Sequence, residues 1–301
     1  MRPPQSGGAG GSPPLETSGA AQIHADSSAP SRKPKLARKI STFSRAKISL
    51  DRLPMLQRLV VDPAKIHPPT IQLTPEQQHY LTRVLRLQIG DRFIAMNGQG
   101  ESWLTILDDG PTATLVHPIN TQTELPIAVT LVMALPKGNG FDEVVRQATE
   151  LGVSQIQPVI SDRTLLNPSP QKLERWRRIA QEAAEQSERQ IVPALLDPIT
   201  FVDHLHQIQS SQPHRSYLCT PRRAAPALLP LLTQTWQAQP LTIAIGPEGG
   251  WTDPELDQAI AAGYALVSLG DRILRAVTAP IVALALIAAS CEPEPPDESE
   301  T

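Results

Sequence analysis

The sequence contains little cysteine and no apolar run long enough to cross a bilayer. Its 301 residues include two cysteines, Cys219 and Cys291, which cannot form a disulfide framework and fit a reducing, cytoplasmic compartment. The longest apolar stretch, Ala276–Ala289, spans 14 residues and is interrupted by Thr278 and Pro280. It therefore indicates a buried helix and no membrane partner. The seven histidines do not cluster, so the sequence offers no metal site and no Ser-His-Asp or Cys-His arrangement.

The chain also lacks the usual nucleotide-binding patterns, although it contains a glycine-rich loop. The segment Leu241–Trp251, LTIAIGPEGGW, predicts a buried strand that ends in this loop, and a helix-start signal follows at Thr252–Glu255. The glycine spacing is not GxGxxG, and no Lys-Ser/Thr pair follows as in a P-loop. Glycines let a ligand lie directly against peptide groups, and open α/β sheets bind ligands at the carboxyl ends of their strands. We therefore expect a ligand site at this loop.

Charge is unevenly distributed along the chain. Residues 1–54 hold nine Lys/Arg and three Asp/Glu, whereas the whole chain has a net charge of −3. Residues 292–301 contain five acidic side chains, which leaves the part between these ends near −4. This balance favours an enzyme with a focused basic patch over a purely electrostatic nucleic-acid binder.

The two ends of the chain have the composition of disordered segments. Residues 1–54 are rich in Gly, Pro, Ser and Ala without apolar periodicity, which predicts a disordered extension. The basic stretch Ser31–Arg52 is compatible with an organelle transit peptide, and Met55 is compatible with the true initiator after a misassigned start. Residues 292–301 predict an acidic disordered tail.

Residues 56–122 predict a small β-rich domain. Phe93–Met96 and Trp103–Leu107 are short apolar runs that flank Asn97–Gly100, a pattern typical of a hairpin turn. Ala113–Val116 is a further candidate strand, and Pro75–Leu87 has the apolar spacing of a helix.

Residues 127–290 predict alternating strands and helices. Strands separated by helices indicate an α/β domain in which helices cover both faces of a parallel sheet. We expect Gly152 to end the first of these helices. The predicted strands are Val129–Leu135, Gln155–Ile160, Tyr217–Cys219, Leu241–Ile245 and Ala265–Leu269.

Three segments point together to a known family. They are LPKGNGFDEVVRQATELG at 135–152, EAAEQSERQIVP at 182–193, and the GPEGG loop with LGDRILRAVTA at 269–279. In order and spacing, Leu56–Ala289 resembles the knotted SPOUT methyltransferases that methylate N3 of a uridine in 16S (small-subunit) ribosomal RNA. The resemblance implies a PUA-like RNA-binding β-barrel domain at 56–122 and a trefoil knot in the domain at 127–290. It also implies a homodimer, S-adenosyl-L-methionine as methyl donor, no metal, and a role in rRNA processing and ribosome biogenesis within the small ribosomal subunit.

The resemblance places the cofactor in a slot between the GPEGG loop and the segment Leu269–Arg275. A neutral purine suits such a slot because peptide N–H and C=O groups can pair with it where small residues permit close approach. This chain has Ala276-Val277 where the family usually has Thr-Glu, so the slot is less polar here. The cofactor-binding residues implied are Gly246, Pro247, Glu248, Gly249, Gly250, Leu269, Gly270, Ile273, Leu274 and Thr278.

Methyl transfer to uridine N3 requires a group that removes the N3 proton or stabilises the resulting anion. Arg275 is one candidate, because a charged residue between apolar segments must reach a partner or the mouth of the site. Glu182, Glu185 and Gln186 share one helix face at i, i+3 and i+4 and match the family's EAAEQS motif. The alternative for these three residues is a solvated helix face.

Basic residues near the motifs are the candidates for RNA contact, with scattered surface arginine as the alternative. Phosphate contacts position an RNA, whereas exposed base edges specify it. The RNA-binding candidates are Lys137, Arg163, Arg189, Arg83 and Arg86.

Two other functions stay open at this point. A non-catalytic RNA-binding or ribosome-assembly protein could retain the fold, and the Ala276-Val277 departure is the reason to consider it. A knotted methyltransferase with another RNA target, such as a tRNA ribose, is the second alternative.

Overall fold

The computed structural model describes residues 56–165, 167–209, 215–221, 224–234 and 238–291. The predictions for residues 1–54 and for the tail at 292–301 lie outside these ranges. Two β-sheets organise the described residues, one of six strands and one of seven.

The first sheet is mostly antiparallel. It has the order β1-β4-β5-β6-β3-β2, and β1 runs parallel to β4. The predicted turn at Asn97–Gly100 joins β4 to β5, with Asn97 Oδ1 accepting hydrogen bonds from the backbone N–H groups of Gln99 and Glu101. The strands are β1 (Arg58–Val60), β2 (Ile66–His67), β3 (Thr70–Gln72), β4 (Arg92–Met96), β5 (Ser102–Leu107) and β6 (Thr112–Ile119).

One short helix packs on this sheet. Helix α1 (Pro75–His79) begins with a capping box in which Thr74 and Gln77 bond each other's backbone N–H groups. It continues as a π-helical segment, Tyr80–Val84, so the helix predicted to reach Leu87 ends three residues earlier. Arg86 has a φ of +58°, which is incompatible with continuing a right-handed helix.

The second sheet is parallel throughout, as predicted. Its order is β10-β8-β7-β12-β11-β13, with β9 beside β8. Every strand predicted in residues 127–290 is present, with ends shifted by at most two residues. The strands are β7 (Val129–Ala134), β8 (Gln155–Ile160), β9 (Ala194–Leu195), β10 (Ile199–Thr200), β11 (Arg215–Cys219), β12 (Leu241–Ile245) and β13 (Ala265–Val267).

Helices cover both faces of the parallel sheet because its strands are apolar on both sides. Leu131 and Met133 of β7 face one core, which α2, α3, α5 and α7 complete, whereas Val132 and Ala134 face a second core under α4 and α6. Gly152, with φ +88°, follows the end of α2 as expected. No helix in the described ranges is long and apolar enough to cross a membrane. The helices are α2 (Gly140–Glu150), α3 (Pro170–Gln186), α4 (Phe201–Gln209), α5 (Leu228–Gln234), α6 (Asp253–Ala261) and α7 (Ala279–Cys291).

Candidate active site

A cavity of about 490 Å³ opens at the carboxyl ends of three neighbouring strands, β12, β11 and β13. Its walls come from the loops that follow these strands, Thr220-Pro221, Gly246–Trp251 and Ser268–Ala279. This is the edge at which open α/β sheets bind their ligands, and the volume lies in the range of small-molecule sites. The glycine loop and the LGDRILRAVTA segment therefore meet as expected.

The loop after β12 presents bare backbone to the cavity. Gly250 has a φ of +71°, and a Cβ added there would meet no atom within 4 Å, so the adjoining space is open to a ligand. At Gly246 an added Cβ would lie 3.1 Å from the indole Nε1 of Trp251. Trp251 stacks on Phe201 at 4.3 Å between ring centroids, and its buried Nε1 has no acceptor among the described residues. Backbone groups and an unpaired indole N–H suit a flat, polar heterocycle such as adenine.

The loop after β13 carries two cations and an apolar side chain at the mouth. Arg272 and Arg275 line the cavity, are exposed, and have no hydrogen-bond or ion-pair partner within the described residues. Ile273 lies between them and is 83% exposed. The loop ends where the Arg275 carbonyl accepts the backbone N–H groups of Thr278 and Ala279, which starts α7. Free guanidinium groups can pair with an anion or with a carbonyl oxygen that gains negative charge.

Two neighbouring loops hold the outer side of the glycine loop. The Lys137 N–H donates to Glu248 Oε1 at 2.9 Å, and Arg163 Nη1 donates to the Gly249 carbonyl at 2.7 Å. An added Cβ at Gly249 would lie 2.9 Å from Arg163 Cδ. Gly249 therefore faces Arg163 and lies outside the cavity wall, contrary to the sequence-based expectation.

Eight of the ten residues predicted to bind the cofactor line this cavity. Thr278 is the other exception, because it is exposed where α7 begins. The eight are Gly246, Pro247, Glu248, Gly250, Leu269, Gly270, Ile273 and Leu274.

The predicted catalytic residues separate into two places. Arg275 lines the cavity, whereas the EAAEQS residues lie at the end of α3 and do not line it in the described structure. Glu185 Oε1 accepts the Val60 N–H of β1 at 2.7 Å, and burial raises the pKa of its carboxyl. Glu182 and Gln186 are exposed, so the three residues do not act together on one face. Their expected catalytic role is not supported, because Glu185 is used in packing against the first sheet.

The structure buries Arg189, one of the residues expected to contact RNA. Its side chain is 2% exposed and forms an ion pair with Glu124. It also donates to the carbonyls of Thr149 and Val153 at 2.8 and 2.9 Å. A guanidinium buried in this way cannot reach a phosphate.

The other RNA-binding candidates are accessible. Lys137, Arg83 and Arg86 are exposed. Arg163 is also exposed, but its Nη1 is committed to the Gly249 carbonyl.

Sequence reasoning missed the third wall of the cavity. Cys219, Thr220 and Pro221 line it from the end of β11, and burial raises the pKa of the Cys219 thiol well above its ordinary value. The sequence did predict a strand at Tyr217–Cys219, which is part of β11. It does not show that β11 lies beside β12 in the sheet.

The departure from the family pattern at Val277 lies against Gly140. A Cβ added at Gly140 would lie 2.7 Å from Val277 Cγ1. The absence of a side chain at Gly140 therefore leaves room for Val277.

Comparison with known proteins agrees with this geometry. Residues 123–288 match the RNA methyltransferase domain family, and residues 73–110 match the RNA methyltransferase PUA domain family. Ribosomal RNA small subunit methyltransferase E of Synechocystis is 50% identical over 240 residues, which covers 79% of each chain. The Bacillus subtilis protein of that name is 30% identical and covers 74% of this chain and 91% of its own. This chain belongs to the ribosomal RNA small subunit methyltransferase E family.

Solved structures of similar methyltransferases share the fold. The Neisseria gonorrhoeae methyltransferase E, bound to S-adenosylmethionine, superposes with a TM-score of 0.70 at 29% identity, over 78% of this chain and 97% of its own. A Legionella pneumophila methyltransferase in complex with the same cofactor has a TM-score of 0.70 at 25% identity, over 79% and 98%. The chain therefore has the SPOUT methyltransferase fold with an N-terminal PUA domain, and it is an S-adenosylmethionine-dependent enzyme of this family.

Proposed function

We propose that this enzyme methylates N3 of a specific uridine in the 16S RNA of the small ribosomal subunit, and that it acts as a homodimer. The observation that carries the proposal is the cavity at the ends of β12, β11 and β13, which the GPEGG and LGDRILRAVTA segments form together. The solved relatives that share this fold bind S-adenosylmethionine. The cytoplasmic location remains a prediction from the cysteine content.

The residues present fit the cofactor. Gly246, Gly250 and Gly270 give backbone access for the adenine, and Leu269 and Leu274 supply apolar contact. When bound, S-adenosylmethionine supplies a methyl group on a positively charged sulfur.

Within the cavity, Arg275 is the residue we assign to the reaction. Uridine N3 carries a proton, which must pass to solvent water for the methyl group to bond to N3, and its loss places negative charge on the neighbouring carbonyl oxygens. A guanidinium that donates to such an oxygen stabilises the anion and makes N3 a better nucleophile. Glu248 is the only carboxylate among the described residues that line the cavity, and one of its oxygens already accepts the Lys137 N–H. We therefore assign anion stabilisation to Arg275 in preference to proton removal by a carboxylate.

The homodimer is supported by α7, which is apolar on every side. Pro280, Leu284 and Ile287 are buried in the chain's own core, but Ala285 and Ala289 are exposed. A second copy would cover this remaining apolar face, and sedimentation of the protein as a monomer would contradict that part of the proposal.

The alternative of a non-catalytic RNA-binding protein is weakened by the contact between Gly140 and Val277, because the departure at Val277 is accommodated there. Calorimetry separates the two functions. We expect S-adenosylmethionine to bind. The absence of binding at millimolar ligand would contradict the enzymatic function and support the non-catalytic one.

Two experiments test the reaction itself. Deleting the gene should remove one reverse-transcription stop from the small-subunit RNA, because a methylated N3 blocks base pairing. A stop that persists would contradict the assignment, and loss of a modification from another RNA would favour a different target. In the purified enzyme, Arg275→Gln should lower kcat without changing cofactor affinity, whereas Arg178→Gln, an exposed arginine on α3, should change neither.

A further inference from the structure

The small domain docks onto the methyltransferase domain through a short segment after α3. We call residues Glu188–Val192 the docking segment. The Gly100 N–H donates to the Gln190 carbonyl at 3.1 Å, and the Val192 N–H donates to the Gly98 carbonyl at 3.0 Å. Gln99 and Ile191 are thereby paired as an antiparallel bridge. The turn between β4 and β5 is thus joined to the other domain by one isolated β-bridge.

A buried amide reinforces this pairing. Gln190 is 8% exposed, and its Nε2 donates to Ser102 Oγ at 2.7 Å and to the Ile119 carbonyl at 3.2 Å. A buried amide without partners is costly. Both partners belong to the first sheet, so the amide is satisfied here only when the two domains are docked.

The linker between the two sheets is tied to the same segment. Glu124 accepts hydrogen bonds from the Arg189 guanidinium and from the backbone N–H groups of Gln190 and Ile191. Arg189 continues to the carbonyls of Thr149 and Val153 near the end of α2. One carboxylate therefore holds the linker and the docking segment together, and its arginine partner anchors both to the core of the larger domain.

The end of α3 provides a third attachment. Glu185 accepts the Val60 N–H of β1 at 2.7 Å, and Arg58 pairs with Glu188 at 2.7 Å. The small domain is thus held at β1, at its hairpin turn and at the paired ends of β5 and β6. Three separated attachments oppose rotation about any single hinge.

We propose that the docking segment is a positioning element that keeps the small domain and the cavity at one fixed distance throughout the reaction. The inference rests on the proposed function. Exposed Arg83 and Arg86 lie on the small domain and Arg272 and Arg275 line the cavity, so fixed docking of the two domains also fixes the spacing between these two pairs of cations.

A disulfide across the bridge tests whether the domains stay docked during turnover. Gln99→Cys with Ile191→Cys places the two thiols on directly opposed residues, where the Cα separation of about 4.5–5.5 Å suits a disulfide. The native Cys219 and Cys291 are buried. The oxidised enzyme should methylate small ribosomal subunits at the same rate as the reduced enzyme. Activity that falls tenfold or more on oxidation and returns on reduction would overturn the proposal, because a misplacement of only about 1 Å costs on the order of 100-fold. Failure of the disulfide to form would also contradict the docked geometry.

Loosening the attachment between the two domains should weaken binding of the RNA substrate. Gln190→Ala should raise KM for the RNA about tenfold while kcat and S-adenosylmethionine affinity stay constant, because only the positioning of the RNA is lost. The oxidised disulfide, introduced into the same variant, should restore KM. Gln78→Ala is the matched control, since Gln78 Nε2 makes a comparable bond to the Gly110 carbonyl inside the small domain. A Gln190→Ala variant that loses stability with no change in KM would show a merely structural role.

Failure of the docking proposal can be distinguished from failure of the proposed function. If the unmodified enzyme does not methylate the subunits, the proposed function is wrong. The ratio of RNA affinities of the oxidised and reduced disulfide variants still tests the docking, and a ratio far from one would overturn it.

Discussion

Replacing Arg189 by methionine removes five donors from the boundary between the domains but keeps the length of the side chain. The Arg189 side chain is 2% exposed, and its ion-pair partner Glu124 is 23% exposed. The carbonyls of Thr149 and Val153 each lose the Arg189 donor, and the Thr149 carbonyl keeps the Gly152 N–H. The substitution therefore leaves a carboxylate and two carbonyls with fewer partners in a region that water reaches poorly.

The expected cost follows from the burial of the pair. Removing one partner of a buried ion pair destabilises a protein by roughly 3–5 kcal/mol. Glu124 is partly exposed and keeps two backbone N–H donors, from Gln190 and Ile191, so the lower end of that range applies. We expect Arg189→Met to lower the free energy of unfolding by about 3 kcal/mol, which corresponds to a fall in Tm of roughly 6–12 °C for a chain of this size.

Urea unfolding of four proteins measures the coupling energy between Arg189 and Glu124 directly. The wild type, Arg189→Met, Glu124→Gln and the double variant form a cycle, and residues in one network should couple by about 0.5–3 kcal/mol. Arg175→Met is the matched control, because Arg175 is 56% exposed in its ion pair with Asp142. It should cost less than about 1 kcal/mol.

The opposite pattern would refute this reasoning. Arg189→Met would then lower the free energy of unfolding by less than about 1 kcal/mol, and the fully folded variant would bind RNA more weakly. Together these two results would show that Arg189 contacts RNA. The structure predicts that RNA affinity changes only through the docking of the small domain.

Three further predictions concern the glycine loop and the domain boundary. Gly250→Ala and Gly110→Ala both place a side chain at positive φ and should each cost about 1 kcal/mol, but only Gly250→Ala should weaken cofactor binding in calorimetry. Arg163→Ala should raise the Kd for S-adenosylmethionine about tenfold, the equivalent of one charge-assisted hydrogen bond, and leave RNA affinity unchanged. Weaker RNA binding with an unchanged Kd for S-adenosylmethionine would instead favour an RNA contact at Arg163. Burial raises the pKa of Glu185 above its ordinary 4.5, so the folded state retains that proton longer as pH rises. Stability relative to Glu185→Gln should therefore fall as pH rises from about 4.5 through the raised pKa, and pH-independent urea midpoints would contradict this.

Local patterns in the sequence were sufficient for the elements that carry the site. The apolar run Leu241–Ile245 is a strand buried on both faces. The Gly-Pro-Glu-Gly-Gly that follows it forms a turn, and its glycines let other groups approach the backbone closely. Gly250 takes a positive φ, as a glycine in such a loop allows. Strand periodicity and turn chemistry act over a few residues, so they can be recognised without knowing the fold.

The neighbours of each side chain could not be recognised in this way. Arg189 and Arg163 look alike in the sequence, yet one is buried against Glu124 and the other holds the Gly249 carbonyl at the surface. Thr220 joins the cavity because β11 lies beside β12, although about twenty residues separate the two strands.

The sequence by itself determined that a strand, a glycine loop and a helix would form at 241–261, and that a second motif with two arginines would follow. Only the tertiary structure decided that Arg275 lines the cavity and that Glu185 and Arg189 join the domains. The reason is physical: backbone preference is set by adjacent residues, whereas the burial of a charge depends on partners that folding brings together from distant parts of the chain.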